Sequence, residues 1–193
     1  FARHPVVISY CPLCGTGMAF DGMIKGQTYL FAVSGLLYNS DLLMYDRTTE
    51  SLWSQVEGLA INGPMKTATL ERLIVEHTTW ADWLKRFPET LVLSRDTGFW
   101  RDYEATPYPG YENSEHLYFP VANVDKRYHP KESVLGLEVK GKAKAYPFSE
   151  LGKLSSAKKL KSKAGRLIFD DVFDGKAVQI SFNVENRTAV IKD

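Results

Sequence analysis

The sequence predicts an α+β, β-rich fold built from antiparallel meanders, with one or two short helices and an internal pseudo-duplication. Three observations lead there. Short β-branched and aromatic runs alternate with Gly, Pro, Asn and Asp turn signals along most of the chain. One segment, 78–88, carries helical periodicity with a cap at one end and a stop at the other. A stretch near the start also repeats near the end without a gap. With 193 residues, 44% of them hydrophobic, the chain can bury a substantial core. It is read as a single domain, 1-193, with pseudo-repeat halves of about 1-130 and 131-193.

The elements follow in order. Residues 6–10 form a β-branched run cut off by Pro12 and Gly15, the pattern of a buried strand. Residues 18–20 resume extended structure before the Asp21-Gly22 turn, and 28–33 supply the next strand. Ser34-Gly35, Asn39-Ser40-Asp41 and Asp46-Arg47-Thr48-Thr49 then punctuate short apolar runs at 42–45 and 51–55, the spacing of an antiparallel meander. Pieces at 59–61 and 65–73 flank Asn62-Gly63-Pro64.

The helix comes next. Thr78 or Thr79 caps residues 80–86, which place Trp80, Trp83, Leu84 and Phe87 on one face at i, i+3, i+4 and i+7, and Pro88 ends it. Residues 91–94 read as a strand. Residues 98–114 form an irregular stretch dense in Tyr, Pro and Asp; its aromatics Trp100, Tyr103, Tyr108 and Tyr111 either pack on the core or wall a groove beside the cysteine turn. Strands follow at 119–121 and 134–139, a hairpin return at 141–146, a short helix from 147 to 151, and strands at 167–169 and 177–182.

Charge narrows the function classes. Lys and Arg total 24 against 23 Asp and Glu, a formal net charge of +1, so no global field draws the chain to nucleic acid or to an anionic membrane. The longest basic stretch, Lys158-Lys159-Leu160-Lys161-Ser162-Lys163, reads as a solvated loop or helix face. No run reaches the roughly 18 apolar residues of a transmembrane segment. The chain opens on Phe1 without a charged leader, and a preceding segment is expected to have been removed. No nucleophile elbow, phosphate loop, His-Glu-x-x-His or calcium loop is present.

The repeat concerns the only two cysteines. Residues 6–17 align on residues 178–189, matching Val6 with Val178, Ile8 with Ile180, Ser9 with Ser181 and Thr16 with Thr188. Asn183 and Asn186 stand where the first copy has Cys11 and Cys14. The shared strand frame then reads as duplicated scaffold and the thiols as an addition to one copy.

Tyr10-Cys11-Pro12-Leu13-Cys14-Gly15-Thr16, Val33-Ser34-Gly35, Asn39-Ser40-Asp41-Leu42, Met44-Tyr45-Asp46-Arg47, Thr49-Glu50-Ser51-Leu52-Trp53, Arg101-Asp102-Tyr103 and Lys144-Ala145-Tyr146-Pro147 together resemble the prokaryotic family called domain of unknown function 3179. The family has no established activity. Its members usually carry an Ala-Tyr-Pro element, a His-Glu and an Asn-Asp pair ahead of the cysteine turn, so the resemblance implies a chain lacking its N-terminal segment. Ala145-Tyr146-Pro147 is a similar element ahead of the second copy, but no His-Glu pair follows it. The resemblance also implies export or a periplasmic location.

Three chemistries fit two thiols at this spacing. Reversible dithiol/disulfide exchange is the first, with Cys11 attacking, Cys14 resolving, and a protein or a small thiol/disulfide as partner. A valine-rich strand leading into Tyr-Cys-Pro-Leu-Cys is similar to the start of a glutaredoxin, but Gly15, Gly17, Gly22 and Gly26 oppose the helix which that fold needs next. Soft-metal binding is the second: Cys11 and Cys14 supply half of a zinc site, or with Met18 a copper(I) site. An extended chain puts His4 roughly 23 Å from Cys11, too far for a ligand, and His77, His116 and His129 are scattered. The third is a non-catalytic interaction domain with a structural disulfide. Asp41, Asp46, Arg47, Glu50 and Gln55 lie close in the proposed meander and form a candidate polar cluster beside the turn. The family resemblance singles out Asp46 and Arg47, with Asp41, as second-tier site residues.

Overall fold

The computed structural model describes residues 3–156, 162–163 and 165–192. It is a β-rich α+β architecture of antiparallel sheets, with two α-helices among the described residues. The chain divides into two compact units, Phe1–Val75 with Tyr108–Lys131, and Glu76–Pro107 with Glu132–Asp193. The second unit thus takes in 76–107 as well as the C-terminal stretch.

In the first unit, β1 (Val6–Cys11) and β2 (Thr16–Asp21) form a hairpin. Alternation along β1 sends Val7, Ser9 and Cys11 to one face, opposite Phe20, Met18 and Thr16. Ile8 and Tyr10 on the other face are 80% and 61% exposed, so β1 is a half-exposed strand and not the fully buried one expected. Its edge position explains this: the sheet order is β1, β2, β9 (Arg72–Leu73), and only one face meets the core.

After the small hairpin of β3 (Met23–Ile24) and β4 (Gln27–Thr28), β5 (Phe31–Tyr38), β6 (Asp41–Asp46), β7 (Leu52–Ser54) and β8 (Ala60–Asn62) make the meander that the turn signals predict. β6 is buried at five of its six residues, because it has a strand on each side and a packed face. Its flanking hairpin gathers Cys11, Leu13, Phe20, Met44, Trp53 and Tyr111 into one core cluster. Tyr108 packs against that cluster, whereas Trp100 is 97% exposed and belongs to the second unit with Tyr103. The aromatic loop therefore splits between units, with its tyrosines at 108 and 111 serving as packing.

Asp46 closes the far end of this meander. Its fully buried carboxylate accepts from the Trp53 indole N–H at 3.0 Å, the Thr49 N–H at 2.6 Å, the Thr48 N–H at 3.1 Å and the Thr49 hydroxyl. Burial pushes its pKa up, but these donors outweigh burial and hold it below the usual carboxylate range.

In the second unit, α1 (Trp80–Arg86) is the predicted helix, and Thr79 caps it by accepting from the Asp82 N–H at 3.2 Å. Two expected strands are absent, 91–94 in this unit and 119–121 in the first: neither joins a sheet among the described residues, and Leu91 and Leu93 are 95% and 94% exposed. Apolar composition without a neighbouring edge does not make a strand. β10 (Val134–Val139) and β11 (Lys142–Pro147) form a hairpin leading into α2 (Phe148–Ser156). β12 (Ser162–Lys163), β13 (Arg166–Phe173), β14 (Lys176–Asn183) and β15 (Thr188–Lys192) complete an antiparallel sheet over Leu137, Leu151, Leu167, Ile180 and Phe182. The basic stretch from Lys158 to Lys161 lies outside the described residues.

The repeat seen in sequence is a repeat of structure. β1 and β2 pair Cys11 with Thr16 across a four-residue loop, and β14 and β15 pair Asn183 with Thr188 across another. Each loop ends on a left-handed residue, Gly15 at φ 61° and Arg187 at φ 49°.

Candidate metal centre

The β1–β2 loop places both thiols. Cys11 is the last residue of β1, on its core-facing side, and is 1% exposed; Cys14 lies on the loop and is exposed. The loop turns at Gly15, whose left-handed backbone suits a residue without a side chain. The two sulfurs are free thiols and no bridge joins them.

Asp41 comes to them from the start of β6. It is only 8% exposed, and its Oδ1 accepts from the Cys14 thiol at 3.4 Å while Oδ2 accepts from the Val56 N–H at 3.0 Å. The two sulfurs and one Asp41 oxygen lie within 4.8 Å of one another, and this is the group of potential metal ligands among the described Cys, His, Asp and Glu residues.

Electrostatics separates the two thiols. The neighbouring Cys14 thiol is the largest influence on Cys11; burial opposes it, and the N–H groups of Cys14, Leu42 and Leu13 reinforce it, bringing Cys11 down to about 6. That same contact with Cys11 raises the Cys14 thiol, and desolvation adds to the rise. Burial raises Asp41 as well, against the donors Val56 N–H, Cys14 and Leu42 N–H. The result is one sulfur made more acidic, chiefly by the neighbouring Cys14 thiol and further by backbone N–H groups, beside a thiol and a carboxyl whose pKa values are both raised.

A cation is the natural counter-charge for such a cluster. Two thiolates and a carboxylate make a tetrahedral donor set with one position open, the composition of a zinc-type site. The second hairpin shows what the same loop does without thiols. There the Asn183 Oδ1 accepts from the Asn186 N–H at 3.0 Å, as the Cys11 sulfur accepts from Cys14, and the Asn186 Nδ2 donates to Asp82 Oδ1 at 2.9 Å, as Cys14 does to Asp41. There the carboxylate's other oxygen is met by Arg86 at 3.1 Å and by the Thr78 hydroxyl at 2.8 Å, partners that Asp41 is not shown to have.

The other expected site residues lie elsewhere. Asp46 and Arg47 are at the opposite end of β6 from Asp41, roughly 17 Å away at about 3.4 Å per residue; Asp46 is engaged in its own turn and Arg47 is exposed. Met18 shares Cys11's face but sits two cross-strand pairs farther along, opposite Ser9, and packs on the core cluster. His4 pairs with Asp21 at 3.1 Å. Gln55, by contrast, reaches the cysteine turn: it is fully buried, and its Nε2 donates to the Thr16 carbonyl at 2.9 Å. The contributions of the Leu13 and Leu42 N–H groups carry no sequence signal, because any residue supplies a backbone N–H.

No curated protein and no solved structure matches the chain. A family model described as "Protein of unknown function (DUF3179)" matches residues 1–190, and the chain therefore belongs to that family.

Proposed function

We propose that the protein binds one borderline-soft transition-metal ion, best met by zinc, through Cys11, Cys14 and Asp41. The carrying observation is the convergence of two free thiols and a buried carboxylate within 4.8 Å. Zinc accepts sulfur and oxygen together, whereas copper(I) prefers soft ligands throughout, so the carboxylate favours zinc over copper. Exposure of Cys14 leaves a route for the ion and for a ligand at the open position.

Dithiol exchange is the second reading, favoured by the free pair and by the depression of Cys11 to about 6. Attack on a disulfide needs thiolate character and access in one sulfur. Here they are divided: Cys11 is the more acidic thiol but is buried, and Cys14 is exposed but its thiol pKa is raised. That division disfavours Cys11 as the attacking group.

Zinc uptake after reduction and chelator treatment tests the proposal. Wild-type protein is expected to take up about one equivalent, as a single tetrahedral site requires. The Cys11→Asn/Cys14→Asn variant, which copies the second hairpin's own hydrogen-bonding residues, is expected to fold and take up none. Equal uptake by both proteins, or none by wild type, overturns the reading; a fast, reversible disulfide in metal-free wild type would then favour the second.

A further inference from the structure

Two buried side-chain polar atoms lack a hydrogen-bond partner among the described residues, Ser9 Oγ and Gln55 Oε1, and both flank the cysteine hairpin. The Ser9 hydroxyl can rotate to donate or accept, so it demands no particular neighbour. Gln55 is different. Its Nε2 must face the Thr16 carbonyl, since an amide oxygen there would oppose another oxygen, and this fixes Oε1 as the unsatisfied atom. That oxygen can only accept, and the residue is fully buried. An orphaned buried acceptor costs about 1–3 kcal/mol and calls for an explanation in water or an ion.

The surroundings point to one. Gln55 follows β7, and its N–H donates to the Leu42 carbonyl at 3.3 Å, next to Asp41. The following residue, Val56, donates to Asp41 itself. The side chain reaches Thr16, the residue paired with Cys11, whose hydroxyl donates to the Cys14 carbonyl at 3.1 Å. Gln55 is thus tied on one side to the carboxylate ligand's strand and on the other to the thiolate hairpin.

We infer that Gln55 is a positioning residue of the metal centre, its Oε1 accepting a hydrogen bond from the water that fills the coordination position left by Cys11, Cys14 and Asp41. This rests on the metal reading above and adds to it how the fourth position is held. Groups that orient a metal's ligands from behind typically change affinity by about 10- to 100-fold when removed.

Cobalt(II) serves as the probe, with Gln55→Leu and Gln55→Glu compared in the full chain. Gln55→Leu is expected to weaken cobalt binding about 10- to 100-fold and to alter the d–d bands while keeping the thiolate-to-cobalt charge-transfer band. Gln55→Glu presents an acceptor oxygen again and, despite the second oxygen it turns toward the Thr16 carbonyl, is expected to bind cobalt more tightly than Gln55→Leu. A role confined to the Nε2 bond with Thr16 predicts no such difference, because both substitutions remove that amide and weaken binding alike. Gln55→Met replaces the leucine variant if thermal melting shows the latter unfolded. No thiolate-to-cobalt band in wild type defeats the metal centre itself. A wild-type band with both variants unchanged, or both equally weakened, defeats only the role of Gln55.

Discussion

Asp41→Asn is expected to move two quantities in opposite directions. Zinc sites with four protein ligands bind with about 10–16 kcal/mol, so an equal share per donor is about 2.5–4 kcal/mol. Loss of the carboxylate should therefore raise Kd by about 10²–10³-fold. The metal-free fold should not suffer. Burial raises the pKa of Asp41, so at neutral pH the folded state carries part of the cost of an ionised carboxylate that the unfolded chain avoids. Stability linked to a raised carboxylate is present at low pH and declines as pH rises through the folded value. Asparagine keeps an oxygen for the Val56 N–H and removes the charge, leaving metal-free stability unchanged or higher. Competition against a zinc chelator gives the first quantity and urea unfolding of the metal-free protein the second. Affinity within threefold of wild type, together with a clear loss of metal-free stability, would refute the reasoning, because Asp41 would then be a structural hydrogen-bond partner and no ligand.

Three further outcomes follow from the same geometry. Zinc affinity should rise with pH by at least about one decade per unit above about 6, where Cys14, raised from the ordinary thiol value, must lose a proton, and more steeply below about 6, where Cys11 must as well; chelator competition across pH reads the slope, and a flat profile excludes thiol ligation. Asn183→Cys/Asn186→Cys should create a second site with Asp82, doubling the zinc bound per chain in a metal analysis, since the second hairpin shares the loop and the carboxylate contact of the first; unchanged stoichiometry would show that a carboxylate already held by Arg86 and Thr78 does not serve as the third ligand. Asp46→Ala should destabilise the fold by about 3 kcal/mol in urea, by orphaning the Trp53 indole and two backbone N–H groups, yet leave zinc affinity unchanged because Asp46 is at the far end of β6 from the centre.

Much of this frame was legible in the residues. Turn signals marked the meander from β5 to β8, Thr78 or Thr79 and Pro88 bounded α1, and the alignment of 6–17 on 178–189 marked a duplicated strand frame, which the structure shows as two hairpins with the same register and loop. The strands expected at 91–94 and 119–121 failed because composition reports a tendency to pair, whereas pairing needs an edge that only the tertiary fold provides. The site was half legible. Cys-x-x-Cys announced itself, but Asp41 and Asp46 looked alike as turn-forming aspartates on either side of one apolar run. Which of them meets the thiols depends on how the β1–β2 hairpin docks against β6, a contact 27 residues apart in sequence. Gln55 was visible as a member of a polar cluster, but its significance lies in an unpartnered oxygen, which no sequence pattern encodes.

The central claim is that Cys11, Cys14 and Asp41 are ligands of one ion. X-ray absorption spectroscopy on the zinc-loaded protein tests it most directly. The account predicts two sulfur scatterers at about 2.3 Å and a light-atom shell at about 2.0–2.2 Å around each zinc, with the sulfur shell gone in Cys11→Asn/Cys14→Asn. A zinc environment of light atoms alone in the wild-type protein would contradict it.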